Sequence, residues 1–344
     1  EDEAVQEVVL AINEYLGSEV IDTSQPKLIR QGSNEAVNQL IDDMQKGKVK
    51  GLITAGVNPS FTLPNAESFT TALSQLELSV AFSLKEDETA SAVQFVAATS
   101  HYLESWGDYQ FKKGHYALAQ PTIRPLFDTQ QFQDVILKLT GSNNTYYQEI
   151  RSNWFDNLLK GNSWNKTLHD GFLSSTDAMR YNEVSFDVSS QIKTLSRASA
   201  TTMSLILYPK TGMGDGQQAN NPWLQEFPDP ISRVTWDNYL TVAASDAKSI
   251  GLKNINVSDG ALNGSYATIA VGNKSVVVPV LIQPGQAKGT VGLAFGYGER
   301  RGLQDEMQVG VNAYPFYNDF NSVQEVTITP ADGYHEFACV QLHN

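Results

Sequence analysis

Three short apolar runs, Val49–Thr54, Leu78–Phe82 and Gln94–Ala98, alternate with helical or turn-like stretches in the first hundred residues. A strand–helix–strand order of this kind demands a parallel sheet with crossover connections, because consecutive parallel strands cannot be joined by a tight hairpin. The helical stretches are amphipathic. Val5, Val8, Val9, Ile12 and Leu16 recur at helical spacing before Gly17, and Ala36, Val37, Leu40, Ile41 and Met44 do so before Gly47, with Asn34 read as the N-cap. A loop with Asp22, Ser24 and Pro26 joins the two, and a third helix is expected over Ala66–Leu76.

The pattern changes further along. Residues 101–130 read as loop, dense in Gly, Pro and aromatics, and residues 131–173 as helical, with Trp154, Phe155, Leu158, Leu159, Trp164 and Leu168 as apolar positions. The Ser-, Thr- and Ala-rich stretch 174–200 reads as a linker. From Met203 the runs become strand-like: Met203–Tyr208, Tyr266–Val271, Val276–Ile282, Thr290–Phe295, Val326–Ile328 and Phe337–Leu342. A hairpin turn falls at Gly272-Asn273-Lys274 and one helix at Ser245–Ile250, stopped by Gly251. Many strands with one helix suggest a small closed barrel. The expected organisation is an α/β layer domain over residues 1–195 and a β-barrel domain over residues 196–344.

Composition removes several functions. The net charge of -14 opposes nucleic-acid phosphates, and no Lys/Arg cluster interleaves with aromatics. Cys339 is the only cysteine, so this chain builds no cysteine zinc site, iron–sulfur cluster or internal disulfide. The five histidines, His101, His115, His169, His335 and His343, show no metal-ligand spacing. No apolar run reaches the ~20 residues of a membrane helix. The acidic start Glu1-Asp2-Glu3 and the abrupt stop at Asn344 read as the ends of a segment cut from a longer chain.

Four segments carry possible chemistry, each with a plain alternative. Gly56-Val57-Asn58-Pro59 follows a strand, where ligands sit in open α/β sheets; Gly, Asn and Pro are equally ordinary turn residues. Asp87-Glu88-Thr89-Ala90 could hold a polar ligand, or Asp87 could cap the next turn. His101 to Asp108 gathers imidazole, two carboxylates and a hydroxyl, for acid–base work or for a satisfied loop network. Tyr208 to Gly216, followed by Asn220-Asn221-Pro222-Trp223, could clamp a ligand or lock a domain.

The order of these segments, GVNP, DETA, HYLESWGD and QPTIRPLFDT, resembles the third domain of the molybdopterin oxidoreductases of the dimethyl-sulfoxide-reductase family. GDGQQANNPWLQEFPDPISRVTWDN, PVLIQPG, FGYGERRG and GVNAYPF are similar to the fourth domain. Within that family the resemblance is closest to the molybdopterin-like subunit of alternative complex III, a quinol-oxidising respiratory complex. It implies a parallel-sheet layer domain followed by a double-psi β-barrel. It also implies a vestigial pterin pocket at Gly56, Asn58, Pro59, Glu88, Thr89, Glu104 and Gly107, with no catalytic residue and no metal ligand in this chain. The Ala-Asp-x-x-Leu-Pro stretch usual after the DETA-like turn is replaced by Ser91 to Thr99, without its aspartate and proline.

From this the expectation is a cofactor-free, non-catalytic structural part of a periplasmic electron-transfer subunit. Molybdopterin dinucleotide would be confined to active relatives, and iron–sulfur clusters to a following domain. The implied partners are the iron–sulfur and cytochrome c subunits of a membrane respiratory complex. Two other readings stay open: the cofactor-binding half of an active bis-pterin molybdenum oxidoreductase, and a carbohydrate- or peptide-binding protein.

Overall fold

In the computed structural model the three apolar runs form strands β1 (Gly51–Ala55), β2 (Leu78–Ser83) and β3 (Phe95–Ala98), paired in the order β1-β2-β3 and all parallel. The structure describes residues 3–20, 25–29, 32–175, 188–195, 203–257 and 261–340. The readings at Asp22 and Ser24, most of the 174–200 stretch, and the strand end at Leu342 lie outside the described residues. The chain divides into two compact units, one made of Glu1–Val8, Asn58–Thr71 and Val188–Asn344, the other of Val9–Val57 and Ala72–Asp187.

The second of these units holds the parallel sheet. Its helix Asn34–Gln45 buries Ile41 and Met44, as the periodicity requires. The cap is one residue earlier than expected: Ser33, extended, accepts from the Ala36 N–H at 3.1 Å, and Asn34 is already helical. Burial differs between the two faces of the sheet, although Phe82, on the more exposed face, is buried against Phe132. Thr54, Ser79 and Ala81 are buried, whereas on the opposite face Ile53, Leu78 and Phe95 are 46%, 45% and 60% exposed. The run Val49–Thr54 therefore does not make a strand buried on both faces.

The 101–130 stretch is not a loop throughout. Strands β4 (Gly107–Lys112) and β5 (His115–Ala119) form an antiparallel hairpin, and β6 (Phe172–Ser174) adds to β5. The alternation is weak because these strands are only half buried, so no clean period-two pattern marks them. Residues 131–173 are broken into helices Phe132–Leu139, Tyr146–Asn153 and Trp164–Asp170, with a π-helical turn at Trp154–Leu158. Ile150, Trp154, Leu159 and Trp164 form their buried core; Phe155 stays exposed.

The other unit is built on a barrel. Its strands are β7 (Met203–Tyr208), β8 (Leu240–Val242), β9 (Asn254–Asn256), β10 (Leu262–Val271), β11 (Lys274–Ile282), β12 (Thr290–Ala294) and β13 (Val323–Phe337). They hydrogen-bond in the order β11-β8-β12-β7-β13-β10-β9, and β10 also pairs β11, which closes six strands into a ring. Closure removes edge strands, and the interior fills with Leu205, Leu240, Ile269, Val278, Val280, Val291 and Leu293, each fully buried. The short strands β8 and β9 carried no recognisable run. The run read as Val326–Ile328 lies inside one 15-residue strand, β13, which takes in only Phe337 of the run read as Phe337–Leu342.

Candidate functional site

The carboxyl edge of the β1-β2-β3 sheet is where an α/β layer offers backbone groups to a ligand. Gly56 follows β1 with φ 64°, donates its N–H to Phe82 O at 3.0 Å, and has no atom within 4 Å of where a Cβ would sit. After β2, buried Asp87 accepts from the Ala90 N–H at 2.9 Å and so caps the turn Ala90–Ala92. Glu88 is half-buried and Thr89 fully buried; the Ser91 hydroxyl oxygen is buried without a hydrogen-bond partner.

The third loop is engaged in holding its own shape. His101 Nδ1 accepts from the Leu103 N–H at 3.3 Å. Glu104 accepts from the Leu126 and His101 N–H groups at 3.0 and 2.9 Å, and these two bonds hold its carboxyl below the usual range. Asp108 accepts from Tyr146 OH at 2.9 Å and Trp154 Nε1 at 3.1 Å. Gly107 is buried beneath the Tyr109 ring, where a Cβ would stand 2.5 Å from the phenolic oxygen. Glu104 and Gly107 are therefore accounted for by local structure.

Gly56, Glu88, Thr89, Glu104 and Gly107 belong to the unit with the parallel sheet, and Asn58 and Pro59 to the barrel unit. Asn58 is buried; its carbonyl accepts from the Phe61 and Thr62 N–H groups, and Pro59 opens the helical turn Pro59–Thr62. This turn delivers Phe61 to the barrel core, edge-on to Tyr314 at 5.7 Å.

A second concentration of chemistry lies in the barrel unit. Strands β7 and β12 are parallel neighbours, so their exit loops leave from the same end. The two loops meet at Gly216 (φ 87°) and Gly296 (φ 95°), so closely that a Cβ on Gly216 would lie 2.6 Å from the Gly296 Cα. Lys210 is 8% exposed: its ammonium donates to Asp237 O at 2.9 Å and lies 4.2 Å over the Tyr239 ring and 5.1 Å over Tyr297. Burial pulls Lys210 down to about 8, partly offset by the nearby charges of Asp229 and Asp237. Burial likewise pushes Tyr208 up to about 12, and raises Tyr239, Tyr297 and Tyr314 further. The cleft beside Lys210, about 10 Å³, holds about one water. Buried Arg300 donates to Gly216 O and stacks 4.1 Å over Phe61. Asn238, fully buried, donates to Ala294 O and Val311 O and accepts from the Val311 N–H.

Beside this cluster a hydrogen-bonded chain runs Tyr266 OH–His335–Asp237, at 3.1 Å to Nδ1 and 2.7 Å from Nε2 to the carboxylate. It can orient a proton along its length. Sequence reading missed Lys210, Asp237, Asn238, Tyr266, Arg300 and His335 as a group, because their positions span more than a hundred residues. The one available signal was the pair of glycine-rich loops that carry Lys210 and Arg300. Among the described residues no three His, Cys, Asp or Glu side chains are placed to hold a metal ion. Half-buried Cys339 has its thiol pushed up by burial.

No protein-family profile matches the chain. A menaquinone reductase molybdopterin-binding-like subunit from Nitratidesulfovibrio vulgaris is 25% identical over 262 residues, which cover 72% of this chain and 36% of that protein. The acetylene hydratase from Pelobacter acetylenicus superposes with a TM-score of 0.57 at 12% identity, over 86% of this chain and 46% of that one. The chain thus spans about a third to a half of the proteins it matches. The match to a subunit named as molybdopterin-binding-like overturns the expectation of a cofactor-free chain and points to molybdopterin. The sheet edge fits such a group in kind. The open space at Gly56 and the unsatisfied Ser91 hydroxyl suit a flat, hydrogen-bonding ring system.

Proposed function

We propose that this chain is a member of the molybdopterin oxidoreductase family and the wall-forming part of a peripheral subunit in a membrane respiratory complex that exchanges electrons with quinone, a reading supported by its similarity to a menaquinone reductase molybdopterin-binding-like subunit. The finer form of the reading is quinol oxidation of the alternative complex III kind, on the periplasmic side, with iron–sulfur and cytochrome c subunits as neighbours. In this reading residues 1–195 supply the α/β layer and residues 196–344 a barrel of the double-psi type.

The observation that carries the proposal is the exposed apolar patch on one face of the parallel sheet. Parallel sheets are ordinarily covered on both faces, and Ile53, Leu78 and Phe95 form an apolar surface suited to a neighbouring domain or subunit. The structural rather than catalytic role of this span is supported by its buried ionisable groups. Lys210, Arg300, His335 and Asp237 all hold internal partners that knit the barrel unit together. Among the described residues no helix is long and apolar enough to cross a membrane, which agrees with attachment through partner subunits.

A molybdopterin group, when bound, would supply a redox-active metal centre, and Gly56, Glu88, Thr89 and Ser91 are the residues of the sheet edge that would meet it. Their part is to bind and orient the ring system through backbone and hydroxyl groups. The test is purification of the intact polypeptide from membranes, with elemental analysis, pterin fluorescence after oxidation, and identification of co-purifying subunits. Molybdenum and pterin near one equivalent per chain, together with iron–sulfur and haem subunits, are expected. Isolation as a lone polypeptide without redox partners refutes the complex; absence of pterin refutes the role given to the sheet edge.

A further inference from the structure

We propose that Tyr266 is a redox-active tyrosine: it gives one electron to a strong one-electron oxidant, of the class of oxygen-centred radicals, while its phenolic proton passes to His335. The barrel unit thereby carries a trap for stray oxidising equivalents.

A phenol that keeps its proton is hard to oxidise, because the radical cation left behind is a very strong acid. Oxidation becomes accessible where a base already sits on the hydroxyl. The Asp237 carboxylate only accepts, so His335 Nε2 carries the hydrogen of the 2.7 Å bond between them. The other nitrogen of the neutral ring, Nδ1, then accepts from half-buried Tyr266 OH at 3.1 Å, within reach for proton transfer. The step balances. Tyr266 loses one electron and one proton and becomes a neutral tyrosyl radical, and the oxidant is reduced by one electron. The O–H bond breaks, an N–H bond forms at Nδ1, and the imidazolium faces the Asp237 carboxylate. A one-electron reductant of the thiol or ascorbate class reverses it, and the proton returns to the phenol.

The other phenols of the chain with described partners are less suited. Burial makes Tyr208, Tyr239 and Tyr297 hold their protons, and the Lys210 ammonium lies over the rings of Tyr239 and Tyr297, where a positive charge opposes loss of an electron. Tyr314 donates to Asp215 O and Tyr146 to the Asp108 carboxylate. Both acceptors are weaker bases than imidazole: an ordinary carboxyl titrates near about 3.9, an ordinary imidazole near about 6.5. The backbone departs from regularity to assemble the three groups. The β10–β13 register slips between Ser265 and Tyr266, passing over Asp332 and Gly333, and such a bulge re-aims the side chains beside it, here His335. Asp237 follows Trp236, which stands at φ 67°, a costly conformation for a bulky residue, and whose N–H donates to Gln225 O at 2.7 Å. The Lys210 ammonium fastens Asp237 O at 2.9 Å.

The test oxidises the whole chain with a flash-generated tris-bipyridine ruthenium(III) complex at about pH 8.5, where an ordinary imidazole is neutral. The radical is followed by its absorbance and, after freezing, by electron paramagnetic resonance. A tyrosyl signal is expected, with most of it lost in Tyr266→Phe and kept in Tyr334→Phe, which removes a 53% exposed phenol from the same strand as His335. His335→Gln can accept the hydrogen bond but cannot hold the proton, and should slow radical formation about tenfold or more. In His335→Ala, free imidazole should restore the rate, a recovery that a purely structural role for the ring does not give. A signal that survives in Tyr266→Phe, formation as fast in His335→Gln as in the parent, or no recovery with imidazole overturns the proposal.

Discussion

Lys210 allows a quantitative test of how the barrel unit is held together. The lysine is 8% exposed, and burial lowers it from 10.5 to about 8 despite the Asp229 and Asp237 charges. A group whose folded-state value lies below its unfolded value penalises the folded state wherever the lysine must stay charged. Between pH 8 and 10.5 the unfolded chain keeps the proton that the folded chain has lost, so the unfolded state binds more protons and stability rises with pH. At about 1.4 kcal/mol per unit, the full gain is about 3 kcal/mol, and about 2–3 kcal/mol of it falls below pH 10. Tyrosines raised by burial act in the opposite sense above pH 10, which sets the upper limit of the useful window. The comparison is between the parent and Lys210→Met, unfolded by urea at pH 7, 8, 9 and 10. The parent should gain on the variant across that range, with most of the gain above pH 8. A flat difference, or one that shrinks with pH, would show that Lys210 titrates normally and that its burial among Tyr239, Tyr297 and Asp237 does not govern its charge.

Gly216→Ala should cost the barrel unit about 2–4 kcal/mol in chemical denaturation, because the new Cβ meets backbone at 2.6 Å and the residue is held at φ 87°. Trp154→Ala, at a fully buried ring that donates to Asp108, should cost about 3–5 kcal/mol in the sheet-bearing unit; a loss below about 1 kcal/mol would contradict its place at the centre of that core. Ser33→Ala should destabilise the helix Asn34–Gln45 by about 1 kcal/mol, read as a lower melting temperature, whereas Asn34→Ala should change little; the reverse order would return the cap to Asn34.

The parallel sheet was legible because each of its strands is a short apolar run punctuated by a turn, and the alternation of strands and helices admits few topologies. The barrel strands from Met203 were legible for the same reason, and the hairpin at Gly272-Asn273 falls where expected. The hairpin β4–β5 was not, because half-buried strands with Lys112, Lys113 and His115 at the turn have no clean apolar face. Asn34 and Ser33 are both good capping residues, and only backbone dihedrals choose between them. Asp87 was read as the cap in the plain alternative to a ligand role for Glu88 and Thr89, and its carboxylate does cap a turn. The barrel cluster of Lys210, Asn238, Arg300 and His335 could not be assembled from the sequence, since strand pairing, not chain proximity, brings those positions together.

The short turn Pro59–Thr62 belongs to the barrel unit although almost all of that unit is made from residue 188 onward. During synthesis Phe61 leaves the ribosome roughly 250 residues ahead of Tyr314, the ring it will rest against, so its burial waits until nearly the whole chain has appeared. In the meantime that apolar side chain lacks the barrel ring that will cover it. An expressed piece that starts at Val188 would suffer the converse fault: Tyr314 would lose its edge-on neighbour and the Arg300 guanidinium the ring beneath it. The barrel should therefore refold poorly alone and better when a peptide covering Asn58–Thr71 is added back.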